Sequence, residues 1–91
     1  MIVRIYGAFN VNLTNNILKI FLEHAEKDFL ILYISNEEFG LQYKKEISET
    51  EEDKFTEELY SWLSGWNFLI KEYVIKGECW CSLKIWSALE N

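Results

Sequence analysis

Phe55, Leu59, Trp62, Leu63 and Trp66 recur at intervals of three and four, which is the signature of one continuous apolar stripe along a helix. Such a stripe has to be buried against an apolar layer, and most of the remaining apolar runs are short and strand-like. Ser48 or Thr50 is placed to cap this helix, and its first turn is crowded with carboxylates. Those offset the positive end of the helix dipole by about 0.3–1 kcal/mol each at exposed positions, less where they repel one another. Gly65 provides a C-terminal stop.

The layer that receives the stripe is assembled from flanking segments. Residues 1–9 are β-branched and aromatic and predict a first strand, weakened at its end by Gly7 and Ala8. Asn12 is a candidate N-cap for a helix through Lys27, with Leu13, Ile17, Ile20, Phe21 and His24 on one face and Leu18 and Leu22 off it. Residues 29–34 form a wholly apolar strand, 35–40 close a hairpin, and 41–47 return with alternating Leu41, Tyr43, Lys45 and Ile47. Residues 67–75 and 78–86 read as a second hairpin about Lys76-Gly77. Its register pairs Val74 with Cys79, Glu72 with Cys81, Ile70 with Leu83 and Phe68 with Ile85 on an inward face. Tyr73 with Trp80, Lys71 with Ser82 and Leu69 with Lys84 share the outward face, joined by Trp86.

The order β-α-β-β-α-β-β predicts an α+β two-layer sandwich: a ferredoxin-like antiparallel sheet, an added C-terminal hairpin strand, and two helices on one face. With 91 residues, 49% of them hydrophobic, residues 1–91 make a single domain with enough apolar material to order the chain. The longest apolar run, residues 29–34, is too short to cross a bilayer, and the first residues lack the pattern of a secretion signal. The expected location is cytoplasmic, the host cytoplasm if the source is viral.

The net charge of −6 is concentrated in thirteen residues. Residues 1–45 and 59–91 are each balanced, whereas Glu46, Glu49, Glu51, Glu52, Asp53, Glu57 and Glu58 face Lys54 alone. This segment repels phosphates and attracts a basic surface, so nucleic acid is the less favoured partner.

Catalytic chemistry finds little support. Cys79 and Cys81 sit two apart on one strand, a poor arrangement for a disulfide, and with His24 as the single histidine a metal site lacks ligands. Buried, reduced thiols are expected. A Cys81–His24–Glu72 constellation would need a convergence that spacing does not supply, and no phosphate loop or serine nucleophile motif is present. No catalytic residue, metal or cofactor is therefore expected.

Two binding surfaces stand out. The first is the acidic segment, with Asp53, Glu57, Tyr60 and Ser64 along the helix side away from the stripe. The second is the open sheet face, expected to carry Arg4, Tyr6, Lys71, Tyr73, Trp80, Lys84 and Trp86, which resembles in kind the stacking surface of single-strand RNA readers. The leading expectation is a non-enzymatic protein-binding module. It would be an inhibitor, of the phage counter-defence or immunity type by analogy, that occludes a basic surface of a partner protein, a nucleic-acid-binding surface being one such case. Single-stranded nucleic-acid binding on the sheet face, or a homodimer through it, is the alternative.

Overall fold

The computed structural model describes residues 1–10 and 14–78, together with the backbone of residues 83–90. In chain order the elements are β1 (Ile2–Phe9), α1 (Asn15–Ala25), β2 (Phe29–Ile34), β3 (Glu38–Tyr43), a 3-10 turn (Glu49–Glu51), α2 (Glu52–Gly65), β4 (Ile70–Glu78) and β5 (Leu83–Glu90). The result is a small α+β fold. Strands β1 to β4 form an antiparallel sheet, the backbone of β5 adds beside β4, and the order across the sheet is β2-β3-β1-β4-β5. Both helices lie on one face, where Leu18, Phe21 and Ala25 of α1 and Leu59 and Leu63 of α2 join Val3, Ile5, Phe39, Leu41 and Ile75 in one core. Among the described residues no helix is long and apolar enough to cross a membrane.

Aromatic rings dominate the join between the layers. Phe21 is fully buried, with ring centroids of Phe9, Phe39, Trp62 and Trp66 at 5.6, 5.5, 5.8 and 5.2 Å. Its position fixes the rotation of α1. Leu18, read as lying off the stripe, is buried, whereas Ile20 is 50% exposed and His24 is exposed against the edge of Trp66. Ile17, Leu18, Ile20, Phe21 and Leu22 offer two overlapping stripes, and packing of Phe21 selects the one centred on Leu18, Phe21 and Ala25. The cap is Thr14, whose Oγ1 accepts from the Ile17 N–H at 3.4 Å; the expected cap Asn12 and stripe residue Leu13 lie outside the described residues.

The first hairpin turns earlier than expected. Ser35 Oγ accepts from the N–H groups of Glu37 and Glu38 at 3.2 and 3.1 Å, so β3 begins at Glu38 and ends at Tyr43. Gly40 consequently lies within β3, where the Tyr33 ring packs across it: an added Cβ would sit 2.5 Å from that ring. Beyond the strand, Ile47 is buried and exchanges backbone bonds with Met1 at 2.9 Å in each direction.

The last hairpin departs most from expectation. Lys76 and Gly77 do not turn; β4 continues through them and pairs with β1 from Phe9↔Ile70 to Ile2↔Glu78. A turn at Lys76-Gly77 would leave the first three residues of β1 without partners on that side, so the length of β1 overrides the local turn signal. Val74 is therefore opposite Ala88, Glu72 opposite Glu90 and Tyr73 opposite Leu89, in place of the expected pairs. The faces exchange as well. Tyr73, Ile75 and Gly77 are buried on the helix side, and Glu72 is exposed.

The 3-10 turn Glu49–Glu51 that leads into α2 is capped by Ser48. Glu51 Oε1 accepts from the Ser48 hydroxyl at 2.6 Å and from the Ser48 N–H at 3.4 Å. These two bonds, the side-chain one foremost, hold the Glu51 carboxyl below its usual range. A lowered carboxylate pKa stabilises the fold above the unfolded pKa, and that contribution disappears as pH falls through the folded value. Ser48→Ala is thus expected to raise the Glu51 pKa in a carbon-detected NMR titration. It should also be less stable than wild type at neutral pH, with the difference vanishing in acid; an unmoved Glu51 titration would show the pair does not form. At the other end, Gly65 keeps ordinary negative φ, as do all described glycines, so the helix closes through tight turns, Trp66 N–H to Leu63 and Leu69 N–H to Trp66, and not through a left-handed glycine.

Candidate functional site

The acidic segment lies along the 3-10 turn and the outer side of α2. Glu46, Glu49, Asp53, Glu57 and Glu58 are exposed, and among the described residues their side chains have no ion pair or hydrogen bond. Glu51 is engaged by Ser48, and Glu52 is partly buried, its carbonyl accepting from the Thr56 hydroxyl at 2.7 Å. Tyr60, read as outward with Asp53 and Glu57, is instead partly buried against the core. The reason is the breadth of the buried arc. It is centred on Leu59 and Leu63, so Tyr60 falls on one shoulder and Phe55, Trp62 and Trp66 on the other.

The second shoulder builds a pocket. Where β2 begins, β3 ends and α2 passes over both, Asp28, Phe29, Tyr43, Phe55, Glu58, Leu59 and Trp62 surround about 310 Å³. The rings run in sequence: Phe55 to Tyr43 at 4.6 Å, Tyr43 to Phe29 at 5.5 Å, Phe29 to Trp62 at 5.4 Å. Phe29 and Leu59 are buried, Tyr43, Phe55 and Trp62 are partly open, and the acidic residues Asp28 and Glu58 are exposed. Glu58 belongs to both features, joining the acidic segment to the pocket. Of the pocket residues only Glu58 was singled out from sequence as a site; Phe55-x-x-Glu58-x-x-x-Trp62 places an acid between two aromatics on one helical flank, a signal that the core stripe masks.

The described part of the open sheet face differs in membership from expectation. Arg4 and Tyr6 lie on it, with Arg4 bonded to Gln42 Oε1 at 3.0 Å and paired with Glu78 at 3.1 Å. Tyr6 stacks on Tyr33 at 6.4 Å, and Lys76 Nζ sits 5.3 Å from the Tyr6 ring centroid. Partial desolvation, then the Glu38 carboxylate, holds the Tyr33 hydroxyl above its usual range. Tyr73 is the correction here: at 7% exposure it is a core residue and does not stack on a ligand from that face. Lys71 is exposed. Trp80 and the side chains of Lys84 and Trp86 lie outside the described residues, as do Cys79 and Cys81, so the convergence of Cys81, His24 and Glu72 falls there too.

Compared with protein families, curated proteins and solved structures, the chain matches none.

Proposed function

We propose that this chain is a non-catalytic protein-binding module that occludes a basic surface of a partner, in the manner of a small inhibitor. The observation that carries the reading is the set of exposed carboxylates at Glu46, Glu49, Asp53, Glu57 and Glu58, unpaired among the described residues and part of the segment that holds the whole net charge. Carboxylates without internal partners keep their field for an incoming surface, speeding encounter and selecting a basic one. A phage counter-defence or immunity-type inhibitor fits that description by analogy with other small acidic chains. The strand order and the shared helix face support a ferredoxin-like reading of the fold, with β5 as the added edge strand.

The test uses three baits in nuclease-treated lysate: wild type, Glu49→Gln/Asp53→Asn/Glu57→Gln, and Trp80→Ala. Wild type and Trp80→Ala are expected to retain the same basic protein, and the neutralised bait to lose it. With that protein in hand, neutralisation should slow association about tenfold or more at low salt and flatten its salt dependence. Retention that depends on Trp80 or on nucleic acid would overturn the reading and move the site to the sheet face.

A further inference from the structure

The geometry points to a receptor for a guanidinium group: we propose that the pocket walled by Phe29, Tyr43, Phe55 and Trp62, with Asp28 and Glu58 in its lining, takes an arginine side chain of the partner protein. The inference rests on the protein-binding reading above and names the chemistry of its anchor.

Size comes first. A volume of 310 Å³ is at the low end of the about 300–1,000 Å³ of small-ligand pockets, suited to one extended side chain and too small for a folded segment. Charge comes second. Two exposed acidic residues, Asp28 and Glu58, line the pocket, and neither side chain has an ion pair or hydrogen bond among the described residues. The nearby cation Lys44 is held elsewhere, its Nζ donating to the Glu26 carbonyl at 2.7 Å. An anion would be repelled, and an apolar plug would strip water from the carboxylates while giving them no partner. A cation satisfies both acids.

Ring geometry selects among cations. The ring faces carry negative quadrupole potential, and three of the four rings are partly open beside the acids. A guanidinium is planar, weakly hydrated and forked, so it stacks on a ring while donating edge-on to a carboxylate; an ammonium does only the second well. Arginine is also one of the residues enriched among interface hot-spot anchors. The division of labour follows. The outer carboxylates Glu49, Asp53 and Glu57 steer a basic surface in, and the pocket holds one of its side chains, so the first act on association and the second on dissociation.

The experiment titrates the full chain with Nα-acetyl-arginine N-methylamide, following the Trp62 indole N–H and the Tyr43 and Phe55 rings by NMR. The corresponding lysine and norleucine amides run beside it. Saturable shifts at these three residues are expected for arginine, weaker ones for lysine and none for norleucine. Glu58→Gln and Asp28→Asn should each weaken arginine binding about three- to tenfold, and Phe55→Leu comparably, with amide spectra elsewhere unchanged. Absence of shifts at Trp62, equal binding of norleucine, or indifference to both carboxamide substitutions would overturn the proposal. Acid-dependent partner capture in a protein whose pocket ignores arginine would sink the pocket alone. Arginine binding in a protein whose partner capture ignores the acids would sink the wider reading alone.

Discussion

Phe21→Ala is expected to lower stability by about 3–5 kcal/mol, at the top of the range for a buried side chain. Phe21 is fully buried and is the ring on which α1, α2 and the sheet converge, touching Phe9, Phe39, Trp62 and Trp66. Truncation removes its transfer energy, opens a cavity between both layers and forfeits four edge or tilted ring contacts. Since domains of this size are stable by only about 5–15 kcal/mol, that loss is a large share of the total. Urea denaturation reads the effect as a lower midpoint at unchanged slope. Should Phe21→Ala fail to fold, Phe21→Leu keeps most of the volume and should cost about 1–2 kcal/mol. A loss of only a few tenths from Phe21→Leu would mean that the rings do not meet there.

The second large effect comes from adding one methyl group. A Cβ on Gly7 would lie 2.5 Å from the Phe39 ring and 2.8 Å from the Glu72 carbonyl oxygen. Neither yields readily. Phe39 is fully buried between Phe9 and Phe21, and the carbonyl belongs to the neighbouring strand. Gly7→Ala should therefore cost about 1–3 kcal/mol. Gly40 presents the same 2.5 Å approach, but to Tyr33, which is 42% exposed on an edge strand and, among the described residues, held on its other side only by the Tyr6 ring, so it can yield toward solvent. There the gain from a stiffer unfolded chain, about 0.4–1 kcal/mol, offsets much of the displacement, so Gly40→Ala should be nearly neutral. Equal urea midpoints for the two variants would show that the Phe39 ring is not held as described.

These positions also mark what could be read in advance. Strand β2 was legible to the residue, because six apolar positions between turn signals admit little else, and α2 was legible from its stripe and acidic start. Helix α1 was legible as a helix but not in rotation. Five apolar residues between Ile17 and Leu22 leave the choice of face to Phe21 and its neighbours, which come from other elements. The Lys76-Gly77 turn failed for a related reason: a dipeptide preference is local, whereas the extent of β4 is dictated by its pairing with β1, more than sixty positions away at Phe9↔Ile70. Inverting the faces of β4 then moved Tyr73 from the expected binding surface to the core. The acidic segment was visible as charge. The pocket beside it was not, since Phe29 and Tyr43 come from two strands and Phe55 and Trp62 from a helix, and only tertiary packing brings the four rings together.

Strand β1 lies between β3 and β4, and this placement shapes how the chain is made. It leaves the ribosome before the other strands, yet one of its edges is satisfied only after Glu38–Tyr43 has emerged and the other only after Ile70–Glu78. At about 5–20 residues per second, the nascent chain spends several seconds with Val3, Ile5 and Phe9 on an incomplete sheet. Growth to residue 78 is the point at which that edge closes. Any product arrested or clipped before it exposes an apolar strand to chaperones, proteases or other nascent copies, so quality control of this small domain turns on whether synthesis reaches β4.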